Sequence, residues 1–470
     1  MKNKKGKEDE TMKKKNADKK VGLGRLLLWQ SSSVSVAISV LVIGFVTIYC
    51  TDTLGLEPAI VGAIFALSKI VDAVTDVIAG FIIDRTNTRW GKGRPYEIFM
   101  LFLWLSTWLL FSCPTGFSNV AKYIWLFTMY IFMNAVCTTF LNANNVVYMV
   151  RAFKTREQQT KVVAFGSFFT MGAGFIFNMF FPMAMAKMAT SPAGWSRLIG
   201  MLAIPMTVIG MIRILTIKEK YNNEADNKEE KLNLKDVATL FKTNQGFVNL
   251  SIVRLLQSLV AGLGVGVYYF TWIVGNVGLM GVTAVFTILG LPLAFFMPMM
   301  RRKLGMKKMI MGSFAISIIG YMVMFFAKSN LPLVILSGLI TNVAIVPFTM
   351  LFNMFIVDCA DYNESIGRPR MEGTLGSVTG FASKVGSALG GFLIGILLSI
   401  GGYSGTAAAQ TGTALMTIRL SASVVPALIF VIMILIFRKY NIDERKQTAD
   451  LEKANASKTN ETDEKTSEEK

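Results

Sequence analysis

Long apolar stretches, each closed by a short polar or basic segment, recur twelve times along the 470-residue chain, near 32–50, 58–83, 96–114, 123–150, 162–186, 198–217, 247–274, 279–300, 309–327, 331–357, 373–400 and 415–437. A helix rising about 1.5 Å per residue needs about 20 apolar residues to cross a hydrocarbon core of roughly 30 Å. Each stretch therefore predicts a membrane-spanning helix, and the chain an all-α membrane protein. The polar segment 218–245 separates six spans from six, the organisation of two six-helix bundles related by an axis along the membrane normal, with the solute path between them. The loops 84–95 and 301–308, both short, basic and glycine-containing, are a compositional echo of that duplication. The expected parts are a basic tail over 1–25, a bundle over 26–217, the central loop 218–245, a second bundle over 246–437 and a charged tail over 438–470.

Composition supports the membrane class, because 53% hydrophobic residues and 34 Phe exceed what a soluble domain of this length can bury. The net charge of +18 then needs a reason. With both termini on the cytoplasmic side, 39 of the 48 Lys and Arg fall in cytoplasmic loops and tails. Outer loops hold Lys122, Lys187, Arg197 and Lys328, Arg419 lies at the outer end of the twelfth span, and the other spans hold Lys69, Arg213, Arg254 and Lys384. That is the bias of a multi-pass protein, so the basic balance orients the chain in the bilayer and implies no nucleic-acid partner. Both tails have the composition of disordered segments. The first apolar run has the length of a span and no small-residue cleavage site, so no cleaved signal peptide is expected. The absence of His removes imidazole relays and His-based catalytic or metal sites, and the four Cys lack metal-like spacing. No enzymatic activity and no cofactor are expected.

The second stretch carries Lys69, Asp72 and Asp76 inside apolar sequence. A carboxylate near a bilayer centre costs roughly 2.5–3.5 kcal/mol, so two of them read as an ion or proton site and the chain as a transporter. Spaced i, i+4, they lie on one helix face about 6 Å apart along the axis, with Lys69 at i−3 on the same face. Two like charges this close repel unless a cation or a proton lies between them. A salt-bridge cluster that only locks packing is the competing reading.

Around this pair stand Tyr49-Cys50-Thr51-Asp52-Thr53-Leu54-Gly55-Leu56, then Asp72-Ala73-Val74-Thr75-Asp76, then Asp84-Arg85-Thr86 through Arg89-Trp90-Gly91-Lys92 to Arg94-Pro95, and later Asp361-Tyr362-Asn363-Glu364, Gly367 and Glu372-Gly373. In this order and at these spans they resemble the glycoside-pentoside-hexuronide:cation symporters of the major facilitator superfamily, the melibiose permease type. The resemblance covers nearly all of the membrane part. It implies symport of a sugar with a monovalent cation, Na⁺ or H⁺, by alternating access across a bacterial cytoplasmic membrane. It further implies that Asp72 and Asp76 bind the cation, completed by Thr139 and by Thr75, which stands where an Asn is usual, and that Lys384 couples cation to sugar together with Lys69. A threonine within a helix can instead bond its own backbone, and a lysine can snorkel.

The sugar side departs from the pattern. The acids that clamp sugar hydroxyls in melibiose-type members are replaced by Val36 and Asn142, and an arginine of their fifth span is replaced near Gly166 or Ser167. What remains is uncharged: Gln30, Ser35, Asn142 and Asn145, with Tyr268 and Trp272 as aromatics able to stack on a pyranose or simply to pack. Amides and hydroxyls both donate and accept, which suits a polyol; the loss of two acids also suits an anionic hexuronide. Charge suggests that Arg85, Arg89 and Arg94 pair with Asp361, Glu364 and Glu372 as a cytoplasmic gate, the alternative being a solvated positive-inside loop. A non-transporting membrane sensor and a lipid or lysolipid transporter are the other functions such a chain can carry.

Overall fold

The computed structural model describes residues 21–221, 241–282, 299–300, 303–368, 371–440 and 442, and these are helical almost throughout. A backbone in lipid must satisfy its own hydrogen bonds, which selects helices for every apolar stretch. Among the described residues nine helical stretches are long and apolar enough to cross a membrane. Of the other three predicted spans, the second forms a helix over Pro58–Arg85 with its charges in mid-span, and the third splits into a 3₁₀ turn, Arg94–Ile98, and a helix, Phe99–Leu110. The eighth falls largely outside the described residues, as do most of the central loop and the tails.

In chain order the helices are α1 (Leu23–Ile43), α2 (Pro58–Arg85), α3 (Phe99–Leu110), α4 (Asn119–Ile131), α5 (Thr139–Ala152), α6 (Arg156–Met188), α7 (Pro192–Thr216), α8 (Gln245–Gly262), α9 (Gly266–Trp272), α10 (Met306–Ala327), α11 (Leu331–Ser365), α12 (Glu372–Ile400), α13 (Gly412–Ala422) and α14 (Val424–Arg438). Starts are local in origin: Pro58 and Pro192 stand in first turns, where no N–H is missed, and Thr155, Ser191 and Asn244 cap their helices by accepting from backbone N–H groups. Some predicted single spans are interrupted. A π-helical turn, Phe132–Thr138, joins α4 to α5; Gly264, at φ +57°, breaks the chain between α8 and α9; and Ser423 separates α13 from α14.

The residues group into two compact units, one of Met1–Lys228, Gly264–Val285 and Gly391–Arg419, the other of Glu229–Leu263, Phe286–Gly390 and Leu420–Lys470. Packing thus assigns 264–285 and 391–419 to the first unit, a division that differs from sequence order. In the second unit α10 packs on α11 and α14 around Phe314, Phe348, Phe355 and Phe437. There Gly386 and Gly390 of α12 lie so close to the carbonyls of Leu255 and Leu259 that any side chain would collide, the small-residue contact typical of membrane helices. In the first unit α1 packs on α6 and α7, α3 on α7, and α2 on α4 and α5.

One end of the first unit is tied by Glu219, which follows α7. Its carboxylate accepts from the backbone N–H groups of Lys92, Gly93 and Arg94 at 2.9, 2.8 and 2.6 Å, and lies 3.8 Å from the Arg151 guanidinium. The approach is close enough that Gly91, at φ +118°, has no room for a Cβ beside it. Glu219→Ala should leave three N–H groups without their acceptor and cost about 2 kcal/mol, read as a lower unfolding midpoint of the purified protein in detergent.

Candidate functional site

The two predicted acids sit midway along α2, Asp72 only 5% exposed and Asp76 half-buried. Facing them is Thr139, the first residue after the π-helical turn, whose hydroxyl lies 3.0 Å from Asp72 Oδ1 and 3.1 Å from Asp76 Oδ1. One hydroxyl facing two carboxylates gathers side-chain oxygens in a helix contact, the donor chemistry that suits a hard cation or a proton. Thr75 does not join it: its hydroxyl turns onto its own helix, to the carbonyls of Val71 and Asp72 at 3.1 and 3.0 Å. That correction follows from the ordinary preference of a mid-helix threonine for the preceding turn. Lys69 is half-buried on the same helix, and Lys384 half-buried in α12 of the second unit.

A cavity of about 290 Å³ opens inside the first unit, lined in part by Ser32, Ser33, Val36, Asn142, Asn145 and Arg213. Two predicted substrate residues, Asn142 and Asn145, are on its wall, with Val36 where the resembled family carries an acid. Gln30 and Ser35 are not. The Gln30 amide donates to the Val162 carbonyl at 2.7 Å, and Ser35 donates to the Met206 carbonyl at 2.8 Å while accepting from Trp104 Nε1 at 2.7 Å. Buried in helix contacts, both satisfy neighbouring helices rather than a ligand.

Behind the wall lies a buried ion pair that sequence reasoning left unassigned. Arg213 Nε and Nη2 donate to Glu97 Oε2 and Oε1 at 2.8 and 2.5 Å, Asn144 Nδ2 donates to Glu97 Oε1 at 3.0 Å, and Arg213 Nη1 donates to Asn145 Oδ1 at 2.9 Å. Glu97 is fully buried and Arg213 2% exposed, with its guanidinium 4.7 Å from the Trp29 ring centroid. A lone charge in two different spans was the available signal; what was missing was the knowledge that they face each other.

Asp52 is the second unassigned acid, just beyond the predicted end of the first span in the π-helical turn Tyr49–Thr53. Its carboxylate accepts from Tyr403 OH at 2.5 Å, Thr51 Oγ1 at 2.7 Å and Trp272 Nε1 at 3.2 Å. Trp272 Nε1 also lies 2.7 Å from Tyr403 OH, and Tyr268 OH is 3.0 Å from Thr51 Oγ1. Tyr268 and Trp272 are therefore engaged at this knot and not at the cavity, which corrects their assignment to sugar stacking. A buried acid demands donors, and the polar tips of these aromatics supply them. Burial pushes the Asp52 carboxyl up, with the hydrogen bonds from Thr51, Tyr403 and Trp272 pulling the other way, and burial beside this acid pushes the Tyr403 phenol up.

Of the predicted gating charges, Arg94 donates from Nε to the Ile214 carbonyl at 2.8 Å within the first unit. Arg85 is exposed with its guanidinium 3.9 Å from the Phe81 ring centroid, and Arg89 is exposed. Asp361 is half-buried and Glu364 exposed in α11, and the side chain of Glu372 lies outside the described residues.

Membrane-spanning helices, a carboxylate pair inside them and a cavity with asparagines in its wall are the parts of a membrane transporter, and comparison with known proteins agrees. The sequence profile described as MFS/sugar transport protein matches residues 31–444. The chain belongs to this sugar-transport family of the major facilitator superfamily. It is 29% identical to the uncharacterised symporter YnaJ of Bacillus subtilis (strain 168) over 86% of this chain and 88% of the relative. It is 25% identical to the isoprimeverose transporter of Lactiplantibacillus pentosus over 88% of each, and 25% to a glucuronide carrier protein homologue of Escherichia coli (strain K12) over 86% and 88%. The fold is shared with a bacterial homologue of the human lysosomal transporter Spinster (TM-score 0.68, 15% identity, 90% of this chain and 97% of that one) and with a D-xylose–proton symporter (TM-score 0.63, 14% identity, 90% and 98%). The resemblance read from the motifs is borne out at the level of the family: the chain is a bacterial membrane protein of the sugar-transport family and not an enzyme.

The raised carboxyl of Asp52 makes a pH prediction. An acid whose folded value exceeds its unfolded one, near 4, stabilises the fold below about pH 4 and loses that contribution as pH climbs through the raised value. Unfolding midpoints taken between about pH 4 and about pH 8 should fall with pH more steeply in the wild type than in Asp52→Asn, the difference being the Asp52 contribution. Parallel slopes would exclude it.

Proposed function

We propose that Asp72, Asp76 and Thr139 bind the coupling cation, Na⁺ or H⁺, and that a glycoside or pentoside occupies the cavity beside Asn142 and Asn145. The observation that carries this reading is the Thr139 hydroxyl within 3.1 Å of both carboxylates, which gathers side-chain oxygens of α2 and α5 in the middle of a membrane-spanning helix. Binding a cation there fixes α2 against the start of α5, one helix turn from Asn142 in the cavity wall. Sugar and cation then raise one another's affinity by the same factor, as linkage requires. Lys69, three residues before Asp72 on the same face, and Lys384 are the proposed coupling lysines. Both termini are placed in the cytoplasm on the distribution of Lys and Arg. The relatives' names as carriers of isoprimeverose and glucuronide support a glycoside cargo over a lipid, and their being transporters speaks against a non-transporting sensor.

The test is uptake of radiolabelled isoprimeverose, lactose and phenyl β-glucuronide into proteoliposomes under imposed Na⁺ or proton gradients. One gradient should drive accumulation of at least one sugar. Asp76→Asn should abolish it, and Thr139→Val should raise the cation concentration for half-maximal uptake by roughly tenfold, the equivalent of one charge-assisted hydrogen bond. Gradient-independent uptake in all three proteins would refute the assignment of the cation site.

A further inference from the structure

The wall of the cavity contains an arginine that offers no net charge to a ligand. Glu97 takes the Arg213 guanidinium in a two-point contact through Nε and Nη2, and also accepts from Asn144, so the pair is neutral and immobile. The free edge of the guanidinium, Nη1, donates to Asn145 Oδ1. A guanidinium has donors only, so it dictates which end of the Asn145 amide it meets: the oxygen is turned to Arg213, and the nitrogen is the end left for the cavity. The neighbouring Ser32, fully buried, has a hydroxyl with no hydrogen-bond partner among the described residues and borders the same cavity.

We propose that Arg213, clamped by Glu97, is a positioning residue that fixes Asn145 as a hydrogen-bond donor to a sugar oxygen, and that the neutralised Arg213–Glu97 pair makes this wall select uncharged glycosides over hexuronides. The inference rests on the sugar-transport reading. Its physical basis is electrostatic: a hexuronate would carry an uncompensated negative charge into a wall whose cation is already neutralised, and Val36 and Asn142 add no charge of their own.

The experiment is equilibrium dialysis of the purified full-length protein with isoprimeverose, lactose and phenyl β-glucuronide, alongside the gradient-driven uptake of the same three. The wild type should bind at least one neutral sugar about tenfold or more tighter than the glucuronide, the worth of one hydrogen bond to a polar group. Asn145→Asp keeps an oxygen for Arg213 but replaces the donor by an acceptor, and should weaken neutral-sugar binding about tenfold with an unchanged unfolding midpoint. Glu97→Gln frees the Arg213 charge and should shift the neutral-to-glucuronide ratio about tenfold toward glucuronide, which a merely structural loss would not do. Should Glu97→Gln not fold, Asn145→Asp and Arg213→Lys decide, the latter expected to weaken neutral binding to a similar extent. A wild type that prefers glucuronide, binding of neutral sugars unchanged in Asn145→Asp, equal losses for both sugar types in Glu97→Gln, or no binding of any of the three would each overturn the proposal. Binding with this pattern but without gradient-driven uptake would uphold it and refute the symport reading instead.

Discussion

A charge inside an apolar helix bundle is tolerated only where an opposite charge or converging hydrogen-bond donors answer it, and the first unit is arranged around that requirement. Glu97 is answered by Arg213, whose guanidinium satisfies it at two points. Asp52 has three neutral donors, from Thr51, Trp272 and Tyr403. Glu219 has three backbone N–H groups. Asp72 and Asp76 both face the hydroxyl of Thr139.

Local backbone irregularities put the answering groups where they are needed. The π-helical turn Phe132–Thr138 shifts the register of the fourth span immediately before Thr139, and the hydroxyl arrives against α2 as a result. The π-helical turn Tyr49–Thr53 does the same for Thr51 and Asp52 at the other end of α1. Asn142 and Asn145 follow Thr139 by three and six residues on α5, so the carboxylate–hydroxyl cluster and the cavity wall share one short helix. Arg213 on α7 then links the cavity wall to Glu97 at the entrance to α3, making the substrate side continuous with the packing of three helices.

Several sequence expectations failed for one common reason. Gln30, Ser35, Tyr268 and Trp272 point to a site as polar or aromatic residues in membrane spans, and Thr75 through the family resemblance, yet each has a nearer partner in the protein. Polar atoms in a dry bundle take whichever partner is closest, and residue type alone does not say whether that partner is a ligand or a helix. Glu97 and Arg213 were missed for the converse reason: each is a single charge in its own span, and only their juxtaposition gives them meaning.

Apolar run length, the alternation of basic loops and the i, i+4 spacing of Asp72 and Asp76 are local properties, so the membrane class, the positions of the spans and the shared face of the two acids were legible in the chain itself. Thr139 beside Asp72, 67 residues away, came only through the family resemblance, and neither the pairing of Tyr403 with Asp52, 351 residues away, nor the turning of the Asn145 amide by Arg213 was legible at all. Hydrogen bonds act over about 3 Å, so their partners are settled by how helices pack and by where π-turns shift the register, and no pattern along the chain encodes that distance.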